Sequence, residues 1–129
     1  MILSAASLRA QRTADALAKR LEYTGKVHYL RELYRADPET VLEILSLQDD
    51  ETDSLFLVAH NPELSEIANL LSSDHFGKIP ALGIASLTFD IGSWGDLASG
   101  ARGETEFFIY PKQFRYFMPR QIRAVLGHP

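Results

Sequence analysis

The sequence contains no cysteine, and that absence excludes several kinds of site at once. Disulfide bonds, thiolate zinc centres and cysteine nucleophiles all require a thiol. A cysteine-free domain also suits a reducing compartment. The first seven residues have neither the basic region nor the apolar stretch that is typical of a secretory signal. The sequence therefore predicts a cytoplasmic protein.

Long hydrophobic runs and positive charge are also scarce. The longest uninterrupted apolar run extends from Leu55 to Ala59, whereas a membrane-spanning helix needs about 20 such residues. The 13 Lys and Arg residues are outnumbered by 17 Asp and Glu residues, and nucleic-acid-binding proteins usually have a basic face. We therefore predict neither a membrane nor a nucleic-acid partner. A small anion pocket remains compatible with this charge, because it needs only two or three cations.

What the sequence does contain is an alternation of strand-like and helix-like segments within 129 residues, a length that suits a single domain over residues 1–129. Strands are predicted near residues 1–3, 26–30, 54–59, 84–91 and 104–110, and helices near residues 4–23, 37–47 and 61–71. The last two strands are predicted to pair as a hairpin. An aromatic cluster at residues 114–117 and a short helix after Pro119 complete the chain. This order predicts an α/β fold, a three-layer α/β/α sandwich around a mostly parallel, mixed sheet.

Residues that satisfy free backbone N–H groups mark the helix starts. Ser4 or Ser7 can cap the first helix, and Asp37 followed by Pro38 marks the second. The first helix carries a single apolar stripe at helical spacing, formed by Ala10, Ala14, Leu17 and Leu21.

The strand predicted at residues 54–59 is apolar on both faces. That pattern is typical of a central parallel strand with helices above and below it. The opening residues Met1 to Leu3 indicate, by contrast, only the remnant of a buried strand. A domain of this class normally begins with a complete strand, so its start does not fit the expected pattern.

His60 directly follows the strand at residues 54–59 and precedes a further helix start, Asn61-Pro62-Glu63. In open α/β sheets, ligands bind beyond the carboxyl ends of the strands, and helix N-termini attract anions. His60 is therefore a candidate functional residue. The alternative is a histidine that only caps the strand and bonds to its neighbours. Glu63 fits a partner for the helix dipole.

Arg9 lies in the first turn of the first helix and so also stands near the carboxyl end of a strand. A guanidinium at that place can direct two donors at phosphate oxygens. The alternative is a solvent-exposed helical arginine, and Arg12, one turn further on, could pair with Asp15. We predict that Arg9 and His60 converge on one anion site at the carboxyl edge of the sheet.

Taken in order, these segments resemble the histidine phosphatase (phosphoglycerate mutase-like) superfamily, and within it the short SixA-type phosphohistidine phosphatases. Residues 2–17 are similar to the family segment in which a strand ends in Leu-Ser-Ser-Pro and a helix begins Arg-Ala-x-Gln-Thr-Ala. Residues 57–62 (LVAHNP) are similar to the motif of the family's second histidine. Residues 82–87 and 106–111 resemble the strand that follows and the closing strand. The resemblance covers nearly the whole chain.

This resemblance implies a phosphatase that hydrolyses phosphohistidine, or another phosphomonoester, through a phosphohistidine intermediate and without a metal or other cofactor. It implies Arg9 as a clamp on the phosphoryl oxygens, His60 as the second pocket histidine and Asn61 as a phosphate-binding residue. Glu32 occupies the place where many members carry a pocket carboxylate, and the alternative is an ordinary loop glutamate. The implied partner is a phosphorylated protein that carries phosphohistidine, or a small phosphomonoester.

The chain also departs from the family pattern. Ala5-Ala6 replaces Ser-Pro, and Arg12-Thr13 replaces Gln-Thr. The largest departure is that the nucleophile motif, Arg-His-Gly or Arg-His-Ala, occurs nowhere in the 129 residues. The other histidines lack that context and are predicted to be structural or exposed: His28, His75 and His128. We therefore expect an N-terminally incomplete domain whose nucleophile lies upstream of Met1, and we expect the 129-residue chain alone to be inactive.

Two other functions remain open. A non-catalytic module that binds phosphate or a phosphoprotein would need Arg9 and His60 but no nucleophile. A nucleotide-binding α/β domain is a third possibility, which the absence of a Gly-rich phosphate loop disfavours. Upstream coding sequence that ends a strand in Arg-His-Gly or Arg-His-Ala would favour the enzyme over the binding module.

Overall fold

The structure is a computed structural model that describes residues 1–80 and 83–110. Its elements, in chain order, are β1 (Ile2–Ala5), α1 (Leu8–Arg20), β2 (Val27–Leu30), α2 (Pro38–Ser46), β3 (Phe56–Val58), α3 (Glu63–Leu71), β4 (Ile84–Thr88) and β5 (Glu104–Ile109). Short 3-10 turns cover Arg31–Leu33 and Trp94–Leu97. The aromatic cluster at residues 114–117 and the helix predicted after Pro119 lie outside the described residues.

The predicted α/β class and the mostly parallel pairing are confirmed. β1 pairs in parallel with β2 on one side and with β3 on the other, which gives the strand order β2-β1-β3. β4 and β5 pair antiparallel, as the predicted hairpin. In the described part of the chain this hairpin forms a sheet of its own, because β3 and β4 do not pair with each other.

The most deeply buried strand is β1 rather than β3, which corrects the prediction for residues 54–59. All four residues of β1 are buried, whereas β3 has three residues, lies at the edge of the parallel sheet and leaves Phe56 40% exposed. An apolar run cannot reveal how many neighbours a strand will have, because the fold supplies those neighbours. Residues Ile2–Ala5 therefore form the middle strand of the three parallel strands in the described residues.

Helix α1 begins as predicted and ends earlier than expected. The Ser7 hydroxyl oxygen accepts a hydrogen bond from the Ala10 backbone N–H at 3.3 Å, so Ser7 is the N-cap. Ala10 and Ala14 are buried, and their small side chains let α1 lie directly against β1. Leu21 does not continue the apolar stripe. It follows the last residue of the helix and is 49% exposed.

A hydrogen bond between α1 and β2 takes the place of the ion pair considered for Arg12 and Asp15. The Tyr29 hydroxyl donates to a carboxylate oxygen of Asp15. Because the neutral phenol donates to a negative acceptor, this bond raises the pKa of Tyr29. The contact fixes the exposed side of α1 to the neighbouring strand.

Helix α2 begins at the predicted Asp37-Pro38 start. An Asp37 carboxylate oxygen accepts a hydrogen bond from the Thr40 backbone N–H at 2.8 Å, and this bond lowers the pKa of the Asp37 carboxyl group. The helix buries Val41 and Leu45. Its start therefore combines a satisfied N-terminus with an apolar face toward the core.

Replacing Asp37 by Asn is expected to make stability less sensitive to acid. The folded pKa of Asp37 lies below its unfolded value, so the charged cap stabilises the fold above the unfolded pKa and loses that effect as the pH falls through the folded pKa. Asparagine can also cap a helix but does not titrate. Melting temperatures of the wild-type and variant proteins, measured from about pH 7 to about pH 2, should converge at acid pH. Glu39→Gln is the matched control, and parallel curves for Asp37→Asn would contradict the prediction.

The core lies where the helices pack against the parallel strands and against the turn before β5. Its buried cluster consists of Leu3, Ala5, Ala10, Leu33, Ala36, Val41, Leu45, Ile67, Leu71 and Leu97. Every buried polar side-chain atom in the described ranges has a hydrogen-bond partner. Among the described helices, none is long and apolar enough to cross a bilayer. The buried cluster packs the helices against the three parallel strands, and this packing positions the loops that follow the strands.

Candidate functional site

The candidate site lies where the three parallel strands end. Because β1 runs between β2 and β3 in the same direction, the loops that follow all three strands leave the sheet at one edge. A cavity of about 440 Å³ lies among these loops. It is lined by Arg9, Leu33, Tyr34, Arg35, His60, Asn61, Pro62 and Glu63. Topology thus brings together residues that are far apart in sequence.

The structure brings Arg9 and His60 into direct contact. Arg9 Nη2 lies 3.2 Å from His60 Nδ1, although the two residues are 51 positions apart. This is the convergence at the carboxyl edge of the sheet that the two strand-to-helix junctions predicted. That the pair binds an anion stays a prediction.

Ser7 completes this contact from the other side of the imidazole ring. Its hydroxyl oxygen lies 2.5 Å from His60 Nε2. A guanidinium can only donate, so His60 Nδ1 accepts from Arg9, and the ring proton on Nε2 is donated to Ser7. The Ser7 oxygen accepts from His60 and from the Ala10 N–H, which leaves its own proton free to donate to a ligand.

The turn that carries His60 is fixed by main-chain and side-chain bonds. The His60 carbonyl accepts from the Leu64 N–H at 2.8 Å, and the Asn61–Pro62 peptide bond is cis. The Asn61 amide nitrogen donates to the Ile79 carbonyl at 2.6 Å, and its oxygen accepts from the backbone N–H and the hydroxyl of Ser65. Asn61 lines the cavity, but these bonds occupy its side chain. Its proposed role as a phosphate ligand remains untested.

Of the two carboxylates considered from the sequence, Glu63 lines the cavity and Glu32 does not. Glu32 is exposed in the 3-10 turn Arg31–Leu33. Glu63 begins α3, so it combines the predicted position near the helix dipole with a place beside His60. The structure therefore does not bring Glu32 together with Arg9 and His60.

Three residues of the site escaped the sequence analysis. Ser7 was considered only as a helix cap, and Tyr34 and Arg35 were not singled out at all. A signal for them did exist: the same strand-end argument that identified His60 applies to β2, and Leu33, Tyr34 and Arg35 follow it closely.

The described charges around the cavity are mostly positive. Arg9 and Arg35 face it together with His60, and Glu63 is the acidic residue in its lining. In residues 1–80 and 83–110, no group of three or more potential metal ligands occurs. The arrangement is suited to a small anion held by guanidinium and hydroxyl groups that His60 positions.

The other described histidines, His28 and His75, lie away from the Arg9–His60 pair. His28 belongs to β2, and His128 lies outside the described residues. His75 lines a larger cavity of about 620 Å³, which shares Asn61 and Pro62 with the candidate site but not Arg9 or His60. The smaller cavity is the candidate site, because the strand ends and the two arginines meet there.

Comparison with known proteins gives uncharacterized relatives in mycobacteria. No protein-family model matches the chain. It is 31% identical over 108 residues to the uncharacterized protein ML1117 of Mycobacterium leprae, a match that covers 74% of this chain and 62% of that protein. It is 30% identical over 110 residues to the uncharacterized protein Rv1276c of Mycobacterium tuberculosis, which covers 75% of this chain and 69% of that protein. The matched region thus spans less than two thirds of the Mycobacterium leprae protein.

Two solved structures share the fold. One is assigned as the phosphohistidine phosphatase SixA of Nakamurella multipartitia, with a TM-score of 0.69, 19% identity and coverage of 84% of this chain and 69% of that one. The other is the protein histidine phosphatase SixA in complex with tungstate, with a TM-score of 0.71, 21% identity and coverage of 88% and 69%. At these identities the similarity establishes the fold of the described region and leaves the activity to be argued from the site.

Proposed function

We propose that this chain, which belongs to the same family as Rv1276c of Mycobacterium tuberculosis, forms most of a phosphatase that hydrolyses phosphohistidine or another phosphomonoester through a phosphohistidine intermediate. The nucleophilic histidine is proposed to lie upstream of Met1. The single observation that carries the proposal is the contact of Arg9 with His60 at 3.2 Å, at the edge of a fold shared with SixA. Phosphohistidine is favoured as the substrate because both solved neighbours are described as phosphatases of that group.

The geometry of the cluster supports phosphoryl binding. Arg9 uses one N–H on His60 and retains further donors in a planar fork that matches two phosphoryl oxygens. Ser7 can donate its hydroxyl proton to a third oxygen. Phosphoryl transfer spreads negative charge over the equatorial oxygens, so donors held in place before the reaction stabilise the transition state.

The proposed reaction has two displacements. A nitrogen of the upstream histidine forms a bond to phosphorus while the bond from phosphorus to the substrate nitrogen or oxygen breaks, and the leaving group takes up a proton. Water then forms a bond to phosphorus, the bond to the enzyme histidine breaks, and inorganic phosphate is released. His60 is proposed to act in both steps by holding Ser7 and Arg9, the side chains proposed to contact the phosphoryl oxygens.

The proton for the leaving group is proposed to come from a cavity carboxyl group or from water. Glu63 is better placed for this than Glu32, because Glu63 lines the cavity. An imidazole leaving group makes a smaller demand on such an acid than an alkoxide does, because neutral imidazole is the weaker base. The acid is therefore expected to matter more for phosphomonoesters than for phosphohistidine.

A module that binds phosphate or a phosphoprotein without catalysis is the second candidate function. One observation favours it for the 129-residue chain: among the described residues, His60 is the single histidine in the cavity lining. Its ring is occupied on both nitrogens. This chain can therefore orient an anion, whereas covalent catalysis needs a further nucleophile.

Arg9→Lys is expected to weaken binding of phosphate and tungstate by about tenfold or more and to leave the melting temperature unchanged. Lysine keeps the charge but loses the two-pronged donor, and a hydrogen bond to a charged group is worth about 1.5–3 kcal/mol. Calorimetric titration of both proteins with each anion, together with melting curves, measures the effect.

Arg12→Lys is the matched control, since Arg12 is exposed on the same helix and is not among the cavity-lining residues. Its affinity for both anions should equal that of the wild-type protein. Equal affinities for Arg9→Lys and the wild-type protein would mean that Arg9 is an ordinary surface residue and would remove the main support for either function.

A further inference from the structure

Arg35 has an unusual backbone conformation at the mouth of the cavity. Its φ angle is 49°, in the left-handed region that non-glycine residues seldom occupy. It also lines the cavity with Arg9 and His60. Residues held in such sparsely populated conformations concentrate at binding and catalytic sites, where the surrounding structure enforces them.

The guanidinium of Arg35 is held in place but not neutralised. Its central carbon lies 5.4 Å from the centre of the Tyr34 ring, which is a cation–π contact. The structure gives Arg35 no ion pair with any carboxylate of residues 1–80 and 83–110. Both Arg35 and Tyr34 are exposed, with Tyr34 at 59%. Arg35 thus presents a positioned and unpaired positive charge to solvent beside the cavity.

Arg9 and Arg35 reach the same cavity from different strand ends. Arg9 contacts His60 and belongs to the proposed phosphoryl site, whereas Arg35 contacts Tyr34 in the loop after β2. Two arginines held by separate partners are suited to two anionic groups rather than one.

We propose that Arg35 binds a second anionic group of the substrate, the carboxylate of an Asp or Glu residue close to the phosphorylated residue in a partner protein. The proposal rests on the proposed function and adds the sequence preference of the same site. Arg35 is then a specificity-determining residue, and Tyr34 positions its guanidinium.

A protein segment, rather than a small molecule with two acidic groups, fits the surroundings of the cavity. Tyr34 next to Arg35 and Leu8 next to Arg9 are both exposed, Leu8 at 63%. Tyrosine and arginine side chains are enriched at surfaces that bind proteins. The chain as a whole is acidic, with a formal charge of −4, so attraction of an acidic segment requires a local cation such as Arg35.

The test compares two peptides that carry a non-hydrolysable phosphohistidine analogue, one with flanking Glu residues and one with flanking Gln residues. They are titrated into the longest form of the protein that its gene encodes. We expect the acidic peptide to bind about three- to fivefold more tightly at low salt, as for an exposed ion pair, and the preference to shrink as salt is added. Arg35→Asn should abolish the preference between the two peptides, because asparagine tolerates the left-handed backbone but has no charge.

Arg31→Asn is the matched control, since Arg31 is exposed in the adjacent 3-10 turn and does not line the cavity. Arg35→Gly should also remove the preference, while relief of the left-handed strain raises the melting temperature. Tyr34→Phe should keep the preference, and Tyr34→Leu should reduce it.

The outcomes separate this inference from the proposed function. If Arg35→Asn keeps the preference, or the wild-type protein has none while still binding both peptides and tungstate, the role of Arg35 is wrong and the phosphatase proposal stands. If the wild-type protein binds neither peptide nor tungstate, both proposals fail. A third outcome is that the wild-type protein shows no preference between the peptides, while a small dianion competes with the Gln-flanked peptide in a way that depends on Arg35. That result would assign Arg35 to a small-molecule substrate and would overturn the proposal of a protein partner.

Discussion

The 129-residue chain alone is expected to show no phosphatase turnover above background, whereas a version extended by its upstream coding sequence should turn over phosphohistidine. Ser7, Arg9 and His60 can orient a phosphoryl group, but none of them is arranged to accept it, because both ring nitrogens of His60 are engaged. Removing the nucleophile of a covalent mechanism costs several orders of magnitude in rate. The turnover of both versions is measured as the release of phosphate from a phosphohistidine protein and from a chromogenic phosphomonoester.

The matched control is the extended version with Asn in place of the histidine of its Arg-His motif. It should keep the added segment and lose turnover, which separates the loss of a nucleophile from the loss of structure. Equal rates for the short and extended chains would show that the upstream histidine is not the nucleophile. His60 would then be the first candidate, and His60→Asn would be the decisive variant.

Much of the fold could be predicted because its signals are local. Ser7 and Asp37 cap the helices they were expected to cap, and the hairpin of β4 and β5 follows from two strand-like segments around a Gly- and Ser-rich loop. The order of β2, β1 and β3 could not be predicted from any one segment. β3 is the most apolar run in the sequence and still lies at the edge of its sheet, because its burial depends on how many strands flank it.

Part of the site could be predicted, because residues that follow the end of a strand can be recognised in the sequence. His60 and Arg9 were found because each follows a strand and begins a helix, and their contact was expected on that basis. Arg35 also follows a strand end, but its left-handed backbone and its contact with Tyr34 arise from the path of the loop after β2 and have no signal in the sequence. Asn61 is the converse case: its neighbour His60 suggested a ligand, whereas its side chain bonds to Ser65 and Ile79.

The extended chain is expected to be markedly more stable than the 129-residue chain and to remain monomeric where the short chain self-associates. In the described residues, β3 pairs only with β1, and β4 pairs only with β5, so each has an open edge. Phe56 on β3 is 40% exposed, and Ile84 on β4 is 45% exposed. Unpaired strand edges with exposed apolar side chains are sites at which chains associate. In the histidine phosphatases that this chain resembles, the strand that carries the nucleophilic histidine lies within the sheet. We therefore propose that an upstream strand pairs with the open edges of β3 and β4.

Hydrogen exchange at two neighbouring amides of β3 provides the sharpest test of whether an upstream strand pairs with it. The Phe56 N–H donates to the Met1 carbonyl at 3.0 Å, toward β1. Successive N–H groups of a strand point to opposite sides, so the Leu57 N–H points to the open edge. Leu57 exchange should slow by at least about tenfold in the extended chain, because an amide at a frayed edge opens at almost no cost. Phe56 is the internal control, since β1 already protects it in both chains. If Leu57 exchanges equally fast in both, the upstream segment does not pair with β3, and any gain in stability must come from contacts elsewhere.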